Sequence, residues 1–126
     1  MKFREWFRPF APSVLVEKSE EWFDFEGPSP FMLFTMTVKK PESVPAITHI
    51  DKTARIQTVS KEDNPKYYEL IEEFEKITGV PMVLNTSLNI NGEPIVETPE
   101  DALRLLKNTD VDALVLGDKL IFKKEL

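Results

Sequence analysis

Two stretches hold nearly all the side chains with which this chain could do chemistry. The first lies in PMVLNTSLNINGEPIV (81–96), where Asn85, Thr86, Ser87, Asn89 and Asn91 crowd together without a Lys or Arg, and Gly92 lets the backbone turn freely. An apolar run at 80–84, with the length and β-branched content of a buried strand, precedes them. A strand ending in amides and hydroxyls delivers neutral hydrogen-bonding groups to one sheet edge, where open α/β sheets hold ligands. The same residue types also build plain turns. The second stretch, AITHIDKTARIQTVS (46–60), contains the only histidine, His49, followed by Asp51, Thr53, Arg55 and Gln57. In an extended segment these five share a face, because strand side chains alternate. A turn at Asp51 and Lys52 would break that alternation, and a solvent-facing strand in which His49 and Asp51 merely pair is the plainer alternative.

Arg55 and Lys2 can meet negative charge, Arg with a planar fork and Lys with a mobile point charge, while Asn85, Thr86 and Ser87 fix orientation. Such a set suits a phosphorylated or carboxylated small molecule. Neither a P-loop nor a dinucleotide glycine fingerprint is present. Ser87 lies far along the chain from His49, so no nucleophile with an evident base stands out and no catalytic residue is assigned. With no cysteine and one histidine, disulfides and thiolate metal sites are excluded and no metal is expected.

The elements that must position these groups can be read in outline. A chain of 126 residues, 41% of them hydrophobic, predicts one domain spanning 1–126. The net charge of -6, from 22 acidic and 16 basic residues, argues against general binding to nucleic acid or a membrane surface. No apolar run approaches the roughly 20 residues of a membrane helix, so a cytoplasmic protein is expected. The opening MKFREWFRPFAP (1–12) interleaves Lys2, Arg4 and Arg8 with aromatics. A strand is expected at 13–17, then a short helical turn capped by Ser19, and a clear strand in FMLFTMTV (31–38). Asn64 and Pro65 start a helix that Gly79 stops. Tyr67, Leu70, Ile71, Phe74 and Ile77 recur in it at core spacing, and its glutamates read as a solvated face. Thr98 and Pro99 start a second helix whose buried side is Ala102, Leu103, Leu105 and Leu106. Residues 113–116 and 120–123 predict a hairpin about Gly117. The order predicts an α/β (α+β) fold, a mixed twisted sheet with flanking helices.

Five blocks, RxxFRPFAPSVL (4–15), SPFM (29–32), ITHIDKTARIQTV (47–59), GVPMVLNTSLNINGEPIV (79–96) and DALVLGDKLIFKK (112–124), together resemble the C-terminal region of the nodulation-type and antibiotic-type O-carbamoyltransferases. The match runs from end to end in the same order. The resemblance implies a C-terminal domain similar to the YrdC and Sua5 fold that takes carbamoyl phosphate and ATP and makes carbamoyl adenylate. An actin-like, metal-binding N-terminal domain then transfers the carbamoyl group to a hydroxyl. Carried over by motif, Lys2, Arg55 and Ser87 are expected to hold carbamoyl phosphate or the adenylate, with Asn85 and His49 as further candidates. Set against the family's pattern, the chain is expected to lack the actin-like domain and the upstream part of the YrdC-like one. It is therefore expected to be inactive alone, completing its site with an N-terminal domain or chain, or by self-association across exposed sheet edges. A non-catalytic anion-binding or interaction module derived from that domain is the alternative.

Overall fold

A computed structural model describes residues 7–125. They form two compact units, 7–86 and 87–125, and the architecture is α+β. In the first unit the order is β1 (Pro12–Leu15), a 3-10 turn (Val16–Lys18), α1 (Ser19–Trp22), β2 (Thr35–Thr37), β3 (Thr53–Arg55), β4 (Gln57–Val59), α2 (Pro65–Thr78) and β5 (Met82–Leu84). The second holds α3 (Pro99–Asn108), β6 (Ala113–Leu116), β7 (Lys119–Phe122) and a 3-10 turn (Lys123–Glu125). Among the described residues the strands form three separate sheets: a mixed one of order β4-β1-β5 and the antiparallel pair β2-β3 in the first unit, and the antiparallel pair β6-β7 in the second.

β1 lies at the centre of the mixed sheet, parallel to β4 with Ser13 opposite Gln57, and antiparallel to β5 with Ser13 opposite Val83. Strand alternation sends its side chains to two cores. Val14 joins Trp22, Phe23, Val38, Val44, Ile47, Ala54, Ile56 and Met82 on one side. Leu15 meets Val59 and Ile71 on the other, against Tyr67, Tyr68 and Val83. Full burial of one Phe, Ile or Val contributes about 1.5–3 kcal/mol, so the larger cluster dominates the unit's stability.

α2 begins and ends where the sequence places it. The Asn64 side chain accepts from the Tyr67 N–H at 3.3 Å, Pro65 is its first residue, and Gly79 ends it with φ 74°. Its buried face is narrower than the periodicity predicts. Ile71 is fully buried, but Leu70 is 58%, Phe74 39% and Ile77 84% exposed. The helix advances about 100° per residue, so a stripe centred on Leu70 and Phe74 lies round the side of the helix from Ile71.

Three other expectations give way. In FMLFTMTV only Thr35–Thr37 is a strand; Met32 has φ 53°, and Phe31, Leu33 and Phe34 are exposed. The polar stretch 46–60 is broken by a turn whose last residue, Lys52, has φ 63°, before β3 begins at Thr53. Ser19 does not cap α1: it is the helix's first residue, buried, and its hydroxyl donates to the Val16 carbonyl at 2.8 Å.

In the second unit α3 carries a complete capping box, Thr98 with Asp101. Its Ala102 and Leu106 pack with Leu114 from the hairpin, against Leu116 and Ile121. The alternate residues of that hairpin are also apolar. Val115 pairs with Leu120 and Ala113 with Phe122, leaving an outer face on which Val115 is 70% exposed. Among the described residues no helix is long and apolar enough to cross a membrane.

Candidate functional site

The two sequence stretches meet at one end of the mixed sheet. The Arg55 N–H donates to the Phe10 carbonyl at 2.7 Å, and the Asn85 N–H donates to the Ala11 carbonyl at 2.9 Å. The segment entering β1 therefore runs between Arg55 and Asn85, which places their backbones two strand spacings apart, roughly 10 Å. Their side chains share a face. Ala54 and Ile56 are fully buried in the larger core, so alternation turns Arg55 and Gln57 to the face that α2 covers further along. Asn85 follows Val83, which packs on that face, by two residues.

Gln57 ties this end together. Its Oε1 accepts from the Ser13 hydroxyl at 2.7 Å and from Asn85 Nδ2 at 2.9 Å, and its Nε2 donates to the Pro30 carbonyl at 3.1 Å. Both lone pairs of the Gln57 oxygen are thus occupied, which fixes the Asn85 amide with its nitrogen inward. Asn85 Oδ1 makes no hydrogen bond among the described residues, and the exposed Arg55 guanidinium makes no ion pair among them. A free acceptor and a free cationic fork therefore border one polar surface. Beside Gln57 opens a cleft of about 320 Å³, lined also by Phe31, Asn64 and Tyr67 at the start of α2. That volume is at the lower end of small-molecule sites. Asp63, which accepts from the Ser60 hydroxyl at 2.6 Å, adds a negative charge to its wall.

His49 and Ser87 each make a side-chain contact with a residue two positions on. His49 lies in the turn before Thr53, so β3 separates it from Arg55 at the strand's other end. Its Nδ1 is 3.0 Å from Asp51 Oδ1. The Thr53 hydroxyl first, then the His49 ring, hold the Asp51 carboxyl below its usual range. Ser87 belongs to the second unit, where its hydroxyl donates to Asn89 Oδ1 at 2.6 Å. Asn89 Nδ2 donates in turn to the Ile90 carbonyl at 3.2 Å and the Glu93 carbonyl at 2.9 Å, so this amide holds its own loop. A cleft of about 250 Å³ in that unit contains Arg104, but Glu93 at 3.3 Å and Asp101 at 3.7 Å already pair with that cation. Lys2 lies outside the described residues. Among the described residues no group of three His, Asp or Glu could hold a metal ion.

Sequence reasoning passed over Ser13 and Ser29. Ser13 is fully buried and reads as part of a strand; a hydroxyl inside the run PSVL was the available sign that a polar partner faces it. Ser29 is bound to Thr58 through its backbone, its N–H donating to Thr58 Oγ1 at 2.7 Å, while its own buried hydroxyl has no hydrogen-bond partner among the described residues.

The chain belongs to the carbamoyltransferase C-terminus family, whose pattern matches residues 1–123 and so runs through both units. Among its relatives, nodulation protein NolNO of Sinorhizobium fredii is 49% identical over 98% of this chain, which covers 19% of that protein. Nodulation protein NolO of Bradyrhizobium diazoefficiens is 45% identical over 98% of the chain and 24% of the relative. The 3'-hydroxymethylcephem-O-carbamoyltransferase of Amycolatopsis lactamdurans is 35% identical over 94% of the chain and 23% of the relative. The chain thus spans about a fifth to a quarter of the length of these curated relatives, and corresponds to their C-terminal part.

Proposed function

We propose that this chain is the C-terminal, YrdC-like part of an O-carbamoyltransferase, binding carbamoyl phosphate and ATP and forming carbamoyl adenylate for transfer to a hydroxyl acceptor. The observation that carries this reading is the family match through residues 1–123 together with the 35% identity to a carbamoyltransferase. In this scheme water hydrolyses carbamoyl phosphate to carbamate and inorganic phosphate, the carbamate oxygen then bonds the α-phosphorus of ATP, and pyrophosphate leaves. The acceptor hydroxyl then takes the carbamoyl group, losing its proton, and AMP leaves. Fixed cations and oriented neutral donors stabilise the charge that builds in such a transfer. Arg55 offers its fork to phosphate oxygens, and Asn85 Oδ1 accepts from the carbamoyl NH2 group. Lys2, Ser87 and His49 are further contacts of the assembled site, which an actin-like N-terminal domain or chain completes in the cytoplasm.

Calorimetry with carbamoyl phosphate and ATP, and pyrophosphate release on mixing the chain with the upstream region of a relative, test the reading. Arg55→Ala should abolish carbamoyl phosphate binding, whereas Glu73→Ala, on the exposed side of α2 and paired with Lys76 at 2.6 Å, should leave it unchanged. Equal binding by the two variants would remove Arg55 from the site. Because the chain covers so little of its relatives, a second reading is a binding module without chemistry of its own. Tight binding with no turnover in the reconstituted complex identifies that case.

A further inference from the structure

Among the described residues, Leu70, Phe74 and Ile77 on α2 join neither hydrophobic cluster of their unit. These residues are spaced i, i+4 and i+7, one contiguous line on a helix, and Ile77 is 84% exposed. An apolar line of this kind marks a contact surface, and two observations bear on what covers it. First, a stable dimer buries about 800 Å² and roughly 20–30 residues on each partner. A line of three side chains on a chain of net charge -6 falls well short of that and would meet an equally negative copy. A segment tethered in the same polypeptide needs no such area, because a short linker gives it an effective concentration on the order of millimolar. Second, about three quarters or more of each relative lies outside the region this chain matches, N-terminal to it.

We infer that the Leu70–Phe74–Ile77 stripe is the seat of the polypeptide that precedes this region in the relatives, docking an apolar helix or strand along α2. The inference rests on the proposed need for an N-terminal partner and assigns the surface that partner uses. It also places the contact on the helix whose first turn lines the cleft beside Gln57.

The chain has no cysteine, so a single introduced thiol reports on one position. The full chain carrying Ile77→Cys, and separately Lys107→Cys on α3 as a reference, would be labelled with a maleimide alone and as a fusion in which the upstream region of NolNO precedes it. Mass spectrometry reads the labelling at the introduced cysteine. The expected result is labelling at position 77 slowed by about tenfold or more in the fusion, as for a site buried by a tethered contact well above its dissociation constant, and labelling at position 107 unchanged. Unchanged labelling at 77 in the folded fusion overturns the assignment of this surface. Protection at 77 in the chain alone with a doubled mass, which would mark a second copy as the occupant, also overturns it. Carbamoyl-phosphate-dependent pyrophosphate release by the same fusion is read independently, so failure of the enzymatic reading is distinguishable.

Discussion

Gln57 shows how one amide can decide the shape of a site. Its oxygen receives hydrogen bonds from β1 and from the residue after β5, and its nitrogen reaches the Pro30 carbonyl, so a single side chain joins three segments. Replacing it with leucine leaves the fully buried Ser13 hydroxyl without an acceptor, which costs about 1–3 kcal/mol. Gln57→Leu is therefore expected to lower the unfolding free energy read from urea titration by that amount and to release the Asn85 amide. Ser13→Ala in the same background should recover most of the loss, and additivity of the two changes would refute the coupling. Neither Ser13 nor the pairing was legible in the sequence, because a hydroxyl in a short apolar strand says nothing about which distant residue faces it.

At the scale of elements, both ends of α2 and the strand at Ala113–Leu116 were legible, whereas the cap of α1 and the extent of the strand in FMLFTMTV were not. Asn64, Pro65 and Gly79 act through bonds within a few residues, so local sequence defines α2. Gly79→Ala forces a side chain into left-handed backbone, at about 1–2 kcal/mol. A lower melting temperature with helix content retained is the expected outcome, and no change would mean that the helix end had simply shifted. The strands depend on partners. FMLFTMTV has the composition of a strand over its whole length, yet only Thr35–Thr37 pairs as a strand, with β3, and Val38 adds a single bridge to Phe23. Arg55 and Gln57 keep the shared face read from alternation because Ala54 and Ile56 are both held in the core. His49 and Asp51 leave it because their turn bonds to Thr53: Asp51 accepts from the Thr53 N–H at 3.0 Å and from its hydroxyl at 2.6 Å.

On the whole-molecule scale, each unit carries a carboxylate held below its usual range: Asp51, chiefly by the Thr53 hydroxyl, and Asp101, chiefly by the Thr98 hydroxyl. A depressed folded value means that the unfolded chain binds the proton more readily. The contribution is complete above the ordinary carboxylate value and is lost as pH falls through the folded one, in a window below about pH 4. Asp51→Asn and Asp101→Asn should each flatten that acid limb while lowering stability at pH 7. An acid limb as steep as the parent's in the double variant would assign the loss to other groups. The α+β class and the family were legible from the order of the blocks, whereas the exposed stripe on α2 was read as core, because periodicity reports that a face is apolar and not whether anything covers it. The β6-β7 hairpin makes the same point in practical terms. With Val115 and Leu120 wet on one side, the chain's solubility should follow the identity of the anion in solution more than ionic strength. Sulfate, excluded from apolar surface, would bring it out of solution at concentrations where chloride only screens its charge.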